Sequence, residues 1–438
     1  MTGRSRAVER TRGVAVAADQ PARSFPSTAL FLMLVAVTSR GLIEIVVGKT
    51  AAYAIQAAAV AVFTLVLLTR HRPRSSGYLG VALALFWALI VVALLSVLAS
   101  SESAGASTAT AYAVVMLGFG GLLTVYGGLR FSFSTTRGLG SSIVVVTLLM
   151  IAVAMLQQFA NLDVFSGVDF GTRRDTARPS AMTGSFLHYP IALSLLSFIL
   201  LGLHSTTRRR MHLVVACAGF LATIVSYSRS GMVITLVGLA IGVVLAKSLR
   251  SAIRVAIVLP VLAVVLALGL PVDTYLERFL SIFRSDGSGN PGRIAAWQRI
   301  LDTWSSSPLV IGSHAGEYSN ISSNLGALGR VGSPESGLLQ VLISLGIAGV
   351  VAFYGLMLIS VFASPSGAPW FRAGLLGGIV QSFAYQSVEV LPFMAIYAIT
   401  PLIATATITR IDGRVPNDQE LGVSVFSVRR RNAERGAT

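Results

Sequence analysis

The chain has 438 residues, 54% of them hydrophobic and 12% charged, with a mean hydropathy of +0.75; soluble domains carry roughly 25% charged residues, so a water-soluble globule is excluded. The apolar runs do not alternate as the strands of an outer-membrane barrel would, and the expected fold is an all-α, polytopic helix bundle. The net charge of +16 then asks which side of a bilayer holds the cations, and it argues little for nucleic acid. Cys217 is the single cysteine and the five histidines are scattered, which gives no basis for an intrachain disulfide or a metal cluster.

A spanning helix needs about 20 mostly apolar residues. In chain order that rule predicts spans at about 27–48, 51–69, 78–99, 109–128, 140–160, 189–204, 211–227, 230–247, 254–271, 337–360, 368–386 and 389–407, about twelve in all. The first is interrupted by Arg40 and Glu44, which stand one helical turn apart and can pair. The eleventh is diluted by Gly374, Gly377, Gly378, Gln381 and Ser382. Before the first span lies a basic segment, 1–26, expected to be a disordered cytoplasmic tail in front of an uncleaved span. A second basic tail, 408–438, follows the last, and the membrane domain is read as 27–407.

Cytoplasmic loops are enriched in Lys and Arg. With the N-terminus inside, the inner segments hold Arg70, Arg72 and Arg74, then Arg130 and Arg137, then Arg208, Arg209 and Arg210, then Lys247, Arg250 and Arg254. Both termini are therefore expected in the cytoplasm, and the two long loops, about 161–188 and 271–336, outside it. The inner loops contain no glycine-rich phosphate cradle, so the chemistry is expected on the outer face.

The first outer loop carries Arg173, Arg174 and Arg178, followed by Gly184-Ser-Phe-Leu-His188-Tyr189-Pro190 leading into a span. Asp163, Asp169 and Asp175 balance the three arginines in number. Ser228-Arg229-Ser230 sits between two apolar runs with almost no loop. An arginine at a membrane edge is costly unless an anion or a headgroup meets it. In the second outer loop, Ile294, Trp297, Ile300, Leu301 and Trp304 recur at helical spacing after Pro291, with Arg293 and Arg299 among the polar positions. This predicts an amphipathic helix along the membrane interface. Beyond it lie His314 and Glu317, and Glu335 stands at the mouth of the tenth span, where a carboxylate can be only a helix cap. Arginine forks match diphosphate geometry and a carboxylate beside them can act as general base. That combination suits a lipid diphosphate-linked substrate.

The order of these pieces resembles the O-antigen ligase and Wzy-type O-antigen polymerase family of membrane glycosyltransferases. The matching elements are Arg178 with the Gly184-to-Pro190 run, Ser228-Arg229-Ser230, Gly292-Arg293 with Trp297, Pro308-Leu309 with Gly312, and Glu335-Ser-Gly-Leu-Leu-Gln340 with Gly346. The resemblance covers roughly 140–360. It implies transfer of a polyprenyl diphosphate-linked glycan to an acceptor without nucleotide sugar, cofactor or metal. Arg178, Arg229 and Arg293 would then hold the diphosphate. Ligases of the family usually carry a histidine where Glu335 stands, which points this chain toward the polymerases, with Glu335 as the base that deprotonates the acceptor hydroxyl. His188, His314, Tyr189 and Glu317 are further candidates. The partners implied are the lipid-linked donor, the glycan acceptor, the bilayer, and a chain-length regulator or flippase. Transfer to a non-repeat acceptor is the nearest alternative. A transporter or flippase is more distant, because mid-span positions are mostly apolar and no duplicated half is visible. A non-catalytic membrane subunit would leave Glu335 and the arginines replaceable.

Overall fold

The computed structural model describes residues 24–100, 105–160, 179–226, 228–246, 290–319 and 335–412. The expected span at 254–271, both terminal tails over 1–23 and 413–438, and most of the two outer loops lie outside the described residues.

Every other expected span coincides with helix. In chain order these are α1 (Ser27–Thr38), α2 (Arg40–Val47), α3 (Lys49–Arg70), α4 (Leu79–Ser100), α5 (Ala106–Gly128), α6 (Leu139–Phe159), α7 (His188–Thr207), α8 (Arg210–Val225) and α9 (Arg229–Ala246). After the second outer loop begins come α10 (Asn290–Ser305), α11 (Gly337–Ala363), α12 (Pro369–Ala384) and α13 (Leu391–Asp412). Eight of these helices are long and apolar enough to cross a membrane, and α1 with α2 makes a ninth if the bent pair is one span. The last helix runs to Asp412, five residues past its expected end. Among the described residues the only sheet is a two-strand ladder, β1 (Arg74–Ser75) against β2 (Leu129–Arg130).

Burial orders the bundle. The spanning windows of α13 and α7 are 83% and 78% buried, whereas those of α3 and α4 are 28% buried, so the first pair forms the centre and the second faces the surroundings. The weak hydropathy of α12 has a packing reason. A side chain at Gly377 would stand 2.9 Å from the Ile234 carbonyl of α9, and one at Gly374 would stand 2.6 Å from Phe198 of α7. Small residues let helices approach closely where lipid gives no hydrophobic drive between them.

Among the described residues two spans are broken, and at each break freed backbone groups find partners from a neighbouring segment. Between α1 and α2 the axis turns by 70°. The carbonyls released there are taken by the buried Gln56 amide, which donates to Val37 at 2.8 Å and Ala36 at 3.2 Å. Arg40 pairs with Glu44 at 3.2 Å, one turn apart as anticipated.

The second break is in α11 at Gly346, where φ 66° and ψ −171° leave the helical region. The Ser344 carbonyl is picked up by the Ser96 hydroxyl. The N–H groups of Ile347 and Ala348 donate, each at 3.1 Å, to the carbonyls of Leu309 and Val310. Gly312 also has positive φ, and a Cβ there would stand 2.7 Å from the Gly346 nitrogen. The Pro308–Gly312 and Glu335–Gly346 runs therefore meet backbone to backbone. At 1.5 Å per residue, Gly346 lies about 13 Å down the helix from Gly337. The segment after α10 thus dips into the bundle, where irregular backbone persists only if protein or water satisfies it.

α10 begins and ends close to its expected limits. Ile300 is fully buried, and with Trp304 it packs against Tyr318 and against Leu339 and Ile343 of α11. Ile294 and Leu301 are 49% and 41% exposed. The apolar residues of this helix are thus divided between the bundle and its surroundings, because α11 supplies a protein surface that the sequence does not reveal.

Candidate active site

The helices end at two faces. One face carries β1 and β2, the Arg208–Arg210 turn between α7 and α8, and Arg372, whose guanidinium donates to the Ser364 carbonyl at 2.7 Å. The other face gathers most of the candidate residues. There Ala315 N–H donates to Ser100 at 2.7 Å, Gln386 donates to the Tyr318 carbonyl at 3.2 Å, and Gly337 N–H donates to Tyr385 at 3.0 Å.

On this second face, Arg229 opens α9 and is half-buried. Its neighbours Ser228 and Ser230 are buried and bond each other through their hydroxyls at 2.8 Å. A side chain at Gly231 would stand 2.7 Å from Pro190, so the Ser-Arg-Ser turn abuts the start of α7 at His188-Tyr189-Pro190. The two motifs, about forty residues apart in sequence, form one wall. The first of them is anchored to α6, where Gln157 accepts from the N–H groups of Ser180 and Ala181 at 3.0 and 2.7 Å.

His188 sits behind that wall. The Arg40 guanidinium reaches its Nδ1 at 3.4 Å and lies 4.3 Å from the centre of the Tyr53 ring. A guanidinium only donates, so Nδ1 accepts and, in the neutral ring, the proton rests on Nε2. Tyr189 is fully buried, and its hydroxyl has no hydrogen bond among the described residues. Both residues fit positioning better than direct chemistry.

Glu335 is exposed and has φ +49°, a left-handed conformation that is uncommon for a non-glycine residue. It does not cap α11. That task falls to Ser336, whose hydroxyl accepts from Leu339 N–H at 3.2 Å and donates to the Phe383 carbonyl at 2.6 Å. With the cap supplied by the next residue, the Glu335 carboxylate is not the side chain that closes the first turn of α11.

His314 and Glu317 form a pair, Nδ1 to Oε2 at 2.7 Å. His314 Nε2 lies 3.3 Å from the Ser307 hydroxyl, and Tyr318 packs edge-on against the imidazole with centroids 6.0 Å apart. Burial, then the Glu317 charge, raises the Tyr318 hydroxyl above its usual range. Deeper in the bundle, the Tyr112 hydroxyl faces Ser344, Gln340 and the carboxylate of Glu389. Gln340 is fully buried, and neither of its amide atoms has a well-formed hydrogen bond among the described residues. Glu389 and Tyr112 escaped the sequence reading. The signal for Glu389 was a lone carboxylate inside an apolar run, and for Tyr112 there was none.

Arg178 lies outside the described residues, as do Arg173 and Arg174. Arg293 belongs to the first turn of α10, but its side chain is outside them too. Arg229, Glu335, His188, Tyr189, His314 and Glu317 are thus the expected site residues that the structure places. Among the described residues no group of three or more His, Cys, Asp or Glu could hold a metal ion.

No curated protein matches the chain. Residues 212–354, about a third of its length, match the family model described as O-antigen ligase. That stretch contains Arg229, Arg293, His314, Glu317, Glu335 and both interlocking glycines. Over that stretch the chain is similar to the O-antigen ligase family, in line with the resemblance carried by the motifs from Ser228 to Gly346.

Proposed function

We propose that the protein polymerises lipid-linked oligosaccharides at the outer face of the cytoplasmic membrane, with both termini in the cytoplasm. The observation that carries this reading is the placement of Arg229 and Glu335 on one face of the bundle, within the stretch that matches the family. Arg178, Arg229 and Arg293 bind the polyprenyl diphosphate and neutralise its charge as it departs, the task a metal ion performs in other transferases. Glu335 takes the proton of the acceptor sugar hydroxyl. That oxygen attacks the anomeric carbon of the growing chain, and the carbon–oxygen bond to the diphosphate breaks. A single displacement inverts the anomeric centre. The reaction needs no nucleotide sugar and, with this donor set, no metal. A chain-length regulator and a flippase supplying the repeat units fit as partners.

Ligation to a non-repeat acceptor is the second reading, favoured by the description of the family matched. Glu335 in the place where ligases carry histidine weighs toward polymerisation. Surface polysaccharide profiling of a strain lacking the protein separates the two. Polymerisation predicts single-repeat glycans in that strain and in one carrying Glu335→Gln at normal membrane abundance. Full-length polymer that stays on its lipid carrier makes the protein a ligase. Normal polymer in the Glu335→Gln strain removes Glu335 from the chemistry.

A further inference from the structure

The face opposite the candidate site carries a feature that membrane orientation does not require. Across the β1–β2 ladder Arg74 stands directly against Arg130, and Ser75 against Leu129. Residues opposite one another in an antiparallel ladder are about 5 Å apart at Cα. They share one side of the ladder, and like charges in that position repel. The enrichment of arginine in cytoplasmic loops accounts for cations on this face, but not for two of them held face to face.

The register is locked from both strands. Ser76, just after β1, donates its N–H to the Gly128 carbonyl at 2.9 Å and its hydroxyl to the Gly127 carbonyl at 3.2 Å. A Cβ at Gly128 would stand 2.9 Å from the Leu79 side chain, so the ends of α4 and α5 meet closely. The loops 70–78 and 129–139 are thereby clamped together. They hold Arg70, Arg72, Arg74, Arg130 and Arg137, and neither contains Asp or Glu. Arg70, Arg72 and Arg74 are exposed and Arg130 is half-buried. An anion between Arg74 and Arg130 would turn repulsion into charge-assisted hydrogen bonds, and arginine forks suit phosphate oxygens.

The surroundings select the anion. The ladder lies beside the ends of α3 and α4, whose spanning windows are 28% buried and face outward from the bundle. Leu65 and Leu68 near the end of α3, and Val81 near the start of α4, are exposed. Tyr78 stacks on the exposed Phe362 with centroids 6.5 Å apart, an aromatic pair of the kind found at headgroup level. A phosphate at this place belongs to a molecule with apolar chains.

We propose that Arg74 and Arg130 hold the phosphate of an anionic phospholipid from the adjacent leaflet, its acyl chains lying along α3 and α4. The site is separate from the proposed transferase chemistry and does not depend on it.

The test measures equilibrium binding of radiolabelled phosphatidylglycerol to the full-length protein in an uncharged detergent. Arg74→Gln and Arg130→Gln are each expected to raise Kd about fivefold, and the two together about 30-fold. Arg208→Gln with Arg209→Gln removes the same charge from another turn of this face and should leave Kd within about threefold. A larger loss there makes the attraction diffuse and overturns the proposal. Phosphatidylcholine that binds as tightly overturns it too. Inorganic phosphate that displaces the label at equal concentration makes the site one for soluble anions and overturns the lipid assignment. In detergent without lipid, the thermal midpoint of the Arg74→Gln, Arg130→Gln variant should equal or exceed that of wild type, because the repulsion is gone. A lower midpoint assigns the two arginines to holding the loops, and an unchanged Kd in that variant takes them out of binding; either result overturns the proposal.

Discussion

Gly346→Val is expected to prevent accumulation of folded protein in the membrane. The backbone at Gly346, with φ 66° and ψ −171°, lies in a region reserved for glycine, which costs an L-residue about 1–3 kcal/mol. A Cβ there would collide with the Val310 carbonyl and stand 2.6 Å from the Ile311 nitrogen. Neither neighbour can yield, since both are backbone, and overpacking of that kind adds about 1–3 kcal/mol. The two terms together are about 4 kcal/mol, a large share of what a folded domain usually has to lose. Gly118→Ala is the control, because Gly118 is exposed on α5 with nothing within 4 Å of an added Cβ. Fluorescence-detected chromatography of detergent extracts should show a normal peak for Gly118→Ala and an aggregated or absent one for Gly346→Val. A normal peak for both would mean that Leu309 and Val310 are not bound to α11 as described.

Arg229→Ala is expected to reduce transfer about 100- to 1,000-fold while leaving the fold intact. Removing one preformed donor from a developing anion costs about that much in rate. Stability should be largely spared because the Ser228–Ser230 hydroxyl bond and the packing of Gly231 on Pro190 hold the turn. Arg229→Lys should recover only part of the rate, because an ammonium cannot make the two parallel bonds of an arginine fork. Initial rates with purified protein check this. Unchanged turnover in Arg229→Ala would assign the arginine to lipid headgroups and take it out of the site.

Hydropathy made most of the architecture legible, because a run of about 20 apolar residues has few other homes. The pairing of Arg40 with Glu44 was legible too, since i,i+4 spacing on a helix fixes neighbours whatever surrounds them. The 70° turn at Ser39 was not, because it depends on Gln56 from the next helix meeting the freed carbonyls. Distance in sequence hid other features. Gly312 and Gly346 were each noted as motif members, but nothing local says that one packs on the other. His314 and Glu317 are three apart in a turn, where spacing fixes no geometry, and Glu389 joins Tyr112 only through the tertiary fold. Glu335 was legible as a carboxylate at a helix mouth. That Ser336 takes the capping duty needed coordinates, because both residue types can cap.

The joint in α11 also has a kinetic signature. In an unbroken helix the amide hydrogens of Ile347 and Ala348 would be shielded by carbonyls four residues back and would exchange with solvent only when the whole span frays. Here they are shielded by Leu309 and Val310 instead. Their exchange is thus governed by undocking of the 308–312 segment, a sub-global opening of lower free energy than unfolding of the bundle. Deep in the helix, two amides therefore serve as a clock for the outer loop, and a substrate that clamps that loop should slow their exchange without touching α11.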